Sequence, residues 1–387
     1  MIEFFIAVRH IFERKFQSIF SILGVAIAVT VFIVSLTVSN GLEKNMINSL
    51  LTLSPHILVR NMQETHFENY GEIVEKAGKI KDVKAVIPQI NSQSIIKFNN
   101  FAKGVLAQGI GASNVKNDLD LKIVDGSNDI SEPASILIGE ELSKEIKISV
   151  GEELSFVSPE NKELKLIVKG IFKTGFLDYD SNLVIVPLGT MQILAERGEV
   201  ATEIGIKTNN PQKIEATLET VRGTISPENY KIISWKQINQ NLLRAINFEK
   251  FVLVAILSLL LVISCFAVSV ILNMVVREKI KDIGILKSIG YTNRHIRNIF
   301  TIEGMIIGIS GMLLATVLSP VVLVVFKKLF KMYMGNSYYY LEELPLYISV
   351  QELIVVYAVA FGVVFLSTVY PATKAARLKP VEALKYE

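Results

Sequence analysis

Four stretches of the chain, 19–38, 251–276, 299–326 and 353–369, carry one charged residue between them, Glu303. A helix needs about 20 apolar residues to cross roughly 30 Å of hydrocarbon, and the last run sits near the lower limit of about 17. Tyr347, Tyr357 and Tyr370 mark its ends with a ring type that favours the membrane interface. Half of the 387 residues are hydrophobic and 20% are charged, too apolar for an ordinary soluble enzyme and too charged for burial in lipid throughout. The fold class expected is a membrane protein with four transmembrane helices and a large α+β extracytoplasmic domain between the first and second.

The expected organisation follows from these runs. An amphipathic helix lies over 1–18, spans lie at 19–40, 248–276, 299–326 and 351–370, and the water-facing domain covers 41–247. A basic loop occupies 277–298, a short outer loop 327–350 and a tail 371–387. Ahead of the first span, Phe4, Phe5, Val8, Phe12 and Phe16 repeat at helical spacing with Arg9, Glu13 and Arg14 elsewhere on the wheel. Either a helix along the membrane surface or a plain extension of the span fits that pattern. The first run is too long for the 7 to 15 residues of a leader's apolar core, so cleavage there is not expected.

Lys and Arg decide the sides. The segments 1–18, 277–297 and 371–387 hold 13 Lys and Arg against six acids, whereas Lys327, Lys328 and Lys331 fall on the other side. The positive-inside rule puts the three basic segments and both termini in the cytoplasm. Residues 41–247, with 23 Lys and Arg against 26 acids, are then exported.

Within the exported segment, strand patterns recur at 56–59, 83–90, 94–98, 135–138, 153–157, 164–172, 182–186, 201–207 and 231–234. Helical patterns fall at 68–79, 140–145, 188–197 and 211–223, the last opening with Pro in its first turn. The polar stretch 114–132 suggests a boundary, and 115–197 reads as a subdomain inserted into a layer built from 41–114 and 198–247. Catalytic spacing is lacking: there is no nucleophile elbow, and Asp178 and Asp180 read as turn chemistry. Four scattered His and the lone Cys265 offer no metal-site spacing and no disulfide.

The segment 277–297, REKIKDIGILKSIGYTNRHIR, combines Lys and Arg with an apolar set, Ile280, Ile283, Ile285, Leu286 and Ile289. A membrane anchor needs only the cations, whereas an apolar face can also dock into a partner's groove. The chain has no G-x-x-x-x-G-K-[ST] motif, so any ATP-driven work must come from another polypeptide. In the third span Gly304, Gly308 and Gly311 form a small-residue face that admits a close helix neighbour. Glu303 beside them is either a functional intramembrane acid or an interfacial group reaching headgroup water.

Several stretches resemble the permeases of lipoprotein-releasing ABC transporters, the LolC/LolE type, within the wider group that includes MacB and FtsX. They are SLTVSNGLEKNM with SPHILV, ILIGEELSKEIKISVGEELSFVSP, VKGIFKTGFLDYDSNLVIVPL, VREKIKDIGILKSIGYTNRHIRNIF and YPATKAARLKPVEALKYE. The resemblance runs nearly end to end. It implies a bacterial inner-membrane permease that extracts lipoproteins from the outer leaflet, paired with a second copy or a paralogue on a cytoplasmic ABC ATPase dimer. ATP and Mg would be bound by that ATPase, and this chain would hold no cofactor, no metal and no nucleic acid.

By the same resemblance Arg277, Glu278, Lys279, Asp282, Gly284, Lys287 and Gly290 belong to a coupling helix. The lipid chains of the lipoprotein would pass Val34, Val38, Phe248, Phe251 and Val254. The segment 158–165 is short where LolC carries an extended hairpin that recruits a periplasmic lipoprotein carrier, so carrier docking is not assigned to this chain. Two other functions within the group are mechanotransmission of the FtsX kind to a partner such as a cell-wall hydrolase, and efflux of the MacB kind. The latter is the weaker, since those permeases usually carry a fused ATPase domain.

Overall fold

A computed structural model describes residues 2–64, 66–68, 70–196, 198–225, 228–334 and 344–378. Parts of the expected outer loop and tail, with Arg197, Lys379 and Lys385, lie outside the described residues. In chain order, α1 (Ile2–Glu13) and α2 (Lys15–Leu53) come first. Next are β1 (Ile57–Asn61), β2 (Phe67–Glu68), α3 (Gly71–Gly78), β3 (Val83–Phe98), β4 (Phe101–Ile110), α4 (Ala112–Asn117) and β5 (Lys122–Gly126). The middle holds β6 (Ser135–Gly139), α5 (Glu140–Ile146), β7 (Glu153–Val157), β8 (Glu163–Lys173), α6 (Leu177–Asn182), β9 (Leu183–Pro187) and α7 (Leu188–Ala195). After β10 (Val200–Ala201), β11 (Glu203–Thr208), α8 (Ile214–Thr224), β12 (Tyr230–Ser234) and α9 (Trp235–Ile238) come the last four helices. These are α10 (Gln240–Glu278), α11 (Ile280–Ser288), α12 (Asn293–Met334) and α13 (Val350–Ala376).

Two compact units divide the chain, one of Met1–Lys44 with Ala245–Glu387 and one of Asn45–Arg244. In the first, α2, α10, α12 and α13 are each long and apolar enough to cross a membrane. Their shared core gathers Val25, Val29 and Phe32 of α2, Leu257, Leu261 and Val268 of α10, Ile307 of α12 and Ala360 and Val364 of α13. Close approach depends on glycine. A Cβ on Gly304 would lie 2.1 Å from Thr368 Cγ2, and one on Gly308 would lie 2.3 Å from Val364 Cγ1. Gly311 faces another way, 2.8 Å from Val25 Cβ. The three glycines therefore seat α12 on two neighbours, α13 and α2, rather than on one.

Two of the long helices extend past the apolar runs that mark their spans. Beyond the expected span end at 40, α2 continues as helix to Leu53, because 41–53 contains no Pro and its Leu50, Leu51 and Leu53 are buried. The third helix likewise runs past 326 to Met334 through Lys327, Lys328 and Lys331, all good helix formers, and it tolerates Pro320 in its interior. At the N-terminus, α1 is a helix of its own, separated from α2 at Arg14.

In the second unit a ten-stranded sheet runs β12-β1-β11-β3-β4-β9-β6-β8-β5, with β7 paired to both β3 and β8. The β4–β9 and β6–β8 pairs are parallel and the others antiparallel. The core of the expected subdomain 115–197, around Phe156, Leu142 and Val168, also takes in Ile90 and Ile96 of β3 and Val105 and Ala107 of β4. The subdomain is not a separate layer, because its strands continue the sheet of the flanking segments. One 16-residue strand, β3, replaces the two expected at 83–90 and 94–98, and it contributes Ile87, Ile90 and Ile96 to different clusters. Asn99, at φ 52°, turns it into β4, a strand the sequence pattern missed. The β7–β8 turn is short, as its sequence implies, with Ser158 N–H donating to Lys162 O at 2.9 Å.

Asp180 closes the turn before α6. It is fully buried and accepts from Thr174 N at 2.7 Å, Thr174 Oγ1 at 2.9 Å and Gly175 N at 3.0 Å, the turn role read for it. Lys207 ends α2 in a similar way. Its Nζ donates to Leu51 O at 2.7 Å and Thr52 O at 2.9 Å, two carbonyls that the helix leaves unpaired. Beside it, His56 Nδ1 accepts the N–H of Thr208 at 2.9 Å, and burial holds that imidazole down to about 4, hence neutral.

Gly308→Ala should lower the thermal midpoint in detergent, by an overpacking cost of about 1–3 kcal/mol. Gly362→Ala in α13, where a Cβ meets nothing within 4 Å, should hold or raise it. Burial, reinforced by the charge of Lys84, draws Lys207 down to about 7. An unfolded lysine keeps its proton to about 10.4, so between these values the unfolded chain binds more protons and stability rises with pH. Unfolding midpoints from pH 7 to 10 should therefore climb more steeply in the natural protein than in Lys207→Met, and parallel profiles would contradict this.

Candidate functional site

The residues read as a coupling segment lie on α11 and its flanks. Val275 O accepts from Lys279 N, so α10 closes as α11 opens. Ile283 and Gly284 turn inward, while Ile285 (53% exposed) and Ile289 (69%) point out. Gly290, at φ +103°, ends the segment in a backbone state that glycine adopts without strain. The inward face joins Ala7 of α1, Phe300 of α12 and Ala372 of α13 in one cluster.

Ion pairs tie the segment to α1. Lys279 Nζ reaches Glu13 Oε2 at 2.8 Å and Asp282 Oδ2 at 3.1 Å, and Arg14 pairs with Glu278. Lys279, with Arg9, holds the Glu13 carboxyl below the usual carboxylate range, and Glu13 raises Lys279 in return. Lys287 serves a different end. Its Nζ donates to Ala376 O and Leu378 O, both at 2.6 Å, and to Asn293 Oδ1 at 2.8 Å, capping the C-terminus of α13. Burial shifts Lys287 downward. Arg277 is exposed and no ion pair of it is recorded among the described residues.

A cleft of about 300 Å³ opens between α1 and α11, lined by Phe5, Arg9, Glu13, Lys279, Asp282 and Leu286. Beneath it His10 Nδ1 lies 3.3 Å from Glu303 Oε2. Glu303 is only 2% exposed, which excludes the reading of an interfacial acid reaching headgroup water. Its partner, 293 positions away, could not be read from sequence.

The residues expected along a lipid path are spread over two helices. Val34 and Val38 are half-buried on α2, and Phe248, Phe251 and Val254 are exposed on α10. The packed face of α10 carries Leu257, Leu261, Cys265 and Leu272 instead. Near Phe251 lies a cluster that sequence reading missed. Lys250 Nζ sits 3.4 Å from both Glu43 Oε2 and Glu352 Oε1, and Asn40 Nδ2 donates to Glu352 Oε2 at 2.9 Å. The S-x-x-E box at Ser349, whose hydroxyl takes the N–H of Glu352, was the available signal. Among the described residues no group of three or more His, Cys, Asp or Glu could hold a metal ion.

Residues 18–224 match the MacB-like periplasmic core domain, more than half of the chain. The chain belongs to that family. Residues 253–380, which include α11, match the FtsX-like permease C-terminal family. Among its relatives are proteins named lipoprotein-releasing system transmembrane protein LolC. The Neisseria meningitidis protein is 25% identical over 100% of this chain and 99% of its own. The Xylella fastidiosa protein is 26% identical over 96% and 94%. A Haemophilus influenzae relative named LolE is 22% identical over 94% and 93%. This permease is thus a multi-pass membrane protein with a MacB-like domain between its first two spans.

Lys287→Met should leave the terminal carbonyls of α13 to water and cost about 1 kcal/mol. A thermal midpoint equal to that of the natural protein would show that this cap contributes nothing.

Proposed function

We propose that this chain is the permease subunit of a transporter that releases lipoproteins from the outer leaflet of a bacterial inner membrane. The observation that carries the reading is the alignment with LolC over the whole of this chain and 99% of the relative. A MacB-like domain followed by an FtsX-like permease region supports the same architecture. ATP hydrolysis, with its Mg, belongs to a separate cytoplasmic ATPase dimer, and a second permease copy or a paralogue completes the complex. Both termini and α11 face the cytoplasm, following the excess of Lys and Arg in those segments.

On this reading α11 receives the ATPase's stroke. Ile285 and Ile289 supply the exposed apolar contact, and the Lys279–Glu13 pair passes displacement to α1. Lys287 passes it to the end of α13, and Gly290 supplies the turn that sets the segment off from α12. Lipid chains of the cargo would run along Val34 and Val38 of α2 and the exposed Phe248, Phe251 and Val254 of α10.

Depletion of the protein should leave acylated lipoproteins in the inner membrane, and unchanged sorting to the outer membrane would overturn the proposal. For the coupling role, Ile285→Ser and Ile289→Ser should lower ATPase activity in the assembled complex by about fivefold or more, as loss of an interface anchor does. Membrane insertion should be unaffected, because both side chains are exposed in the chain alone. Unaltered ATPase activity would return α11 to a simple anchor.

A further inference from the structure

The second unit contains a cavity of about 140 Å³ that the permease reading does not use. About one water-sized sphere, 10–15 Å³ on this measure, holds a single water, so the cavity has room for something the size of an amino-acid residue. Its floor is a face of the sheet. Glu203 of β11 stands opposite Gln89 of β3, and Asn91 of β3 stands opposite Gln108 of β4. Positions of this kind on a covered sheet face are ordinarily apolar; here Gln89, Gln108 and Glu203 are 3%, 7% and 9% exposed.

These side chains form a directed ladder. Gln108 Nε2 donates to Gln89 Oε1 at 2.9 Å, Gln89 Nε2 to Glu203 Oε2 at 3.2 Å and Asn91 Nδ2 to Glu203 Oε2 at 2.7 Å. Arg60 pairs with the same carboxylate and neutralises it. Each carboxamide spends one N–H on the ladder, and no donor to Gln108 Oε1 or Asn91 Oδ1 is recorded among the described residues; both side chains line the cavity. Both oxygens are open to the cavity, where water or a donor that displaces it satisfies them. Walls of Leu53, Leu58, Leu183 and Trp235 are apolar, and the exposed Leu106 (41%) and Ile238 (46%) give an apolar rim.

The geometry points to a binding site for a neutral polypeptide segment, seated by one aliphatic side chain between Trp235 and the leucines. Adjacent amide N–H groups of the segment donate to Gln108 Oε1 and Asn91 Oδ1. A charged amine is disfavoured, because the one carboxylate present is already paired with Arg60. The site goes beyond the permease reading and does not depend on lipoproteins being the cargo.

Trp235 is the single tryptophan of the chain and forms part of the wall, so its fluorescence reports occupancy directly. Titrating the full-length protein in detergent with N-acetyl-leucinamide should change the Trp235 emission saturably. N-acetylglycinamide, which lacks the side chain, and isoamylamine, which carries a charge, should give no saturable change. Gln108→Leu and, separately, Asn91→Ala should weaken the apparent affinity at least tenfold while keeping the unliganded emission spectrum; a variant whose unliganded spectrum shifts is set aside and the other decides. No saturable response to N-acetyl-leucinamide would mean a cavity filled by water only and would overturn the proposal. An equal response to isoamylamine would overturn the neutral-amide assignment, and undiminished affinity in a variant with an unshifted spectrum would overturn the role of the ladder.

Discussion

Backbone carbonyls at the end of a long helix need donors, and lysine supplies them in both units. A helix leaves its last four C=O groups without partners, and burial of that end makes each expensive. Lys207 meets the end of α2 and Lys287 the end of α13, each through two carbonyl contacts. Neither lysine has a recorded carboxylate partner among the described residues, and burial draws both below the usual lysine range, with the carbonyls and the helix dipole opposing it. Where each helix stops, and what it stops against, depends on these two side chains.

Around Lys287 the same logic turns a loop into a junction. α11 is short, and an isolated helix of nine residues would be marginal in water. It persists because Ile283 is buried against α12 and α13 neighbours, Lys279 is paired to α1, and Lys287 caps α13. Three other helices are therefore bonded to one exposed segment. On the proposed coupling role, a push on α11 would strain its bonds to both α1 and α13.

Much of this was legible in the chain. Uninterrupted apolar runs marked the four long helices, and the basic excess with Gly290 marked α11. The glycine spacing at 304, 308 and 311 announced close approach, though it could not say that Gly311 faces α2 while the others face α13. Strand β4 escaped because Gly104, Gly109 and two alanines dilute its pattern, and its evidence lay in the Asn99-Asn100 turn. Likewise β5 hid in a polar stretch, being an edge strand with an irregular register at Asp125. Pairs such as His10 with Glu303, or Lys250 with Glu43, are set by tertiary folding across hundreds of residues and leave no local signal.

The long strand β3 has one more consequence. It pairs with β11 from Val83 to Gln89, with β4 from Gln89 to Phe98 and with β7 near that second end, so three hydrophobic clusters of the unit meet on a single strand. Were the segment 115–197 excised as a fragment, β9 would lose β4 and β7 would lose β3, baring two sheet edges at once. Open edges of this kind recruit other chains. The β7–β8 turn, with Pro159, Glu160 and Asn161 exposed, bears no such constraint, whereas this half of the sheet is held in place by strands on both of its flanks.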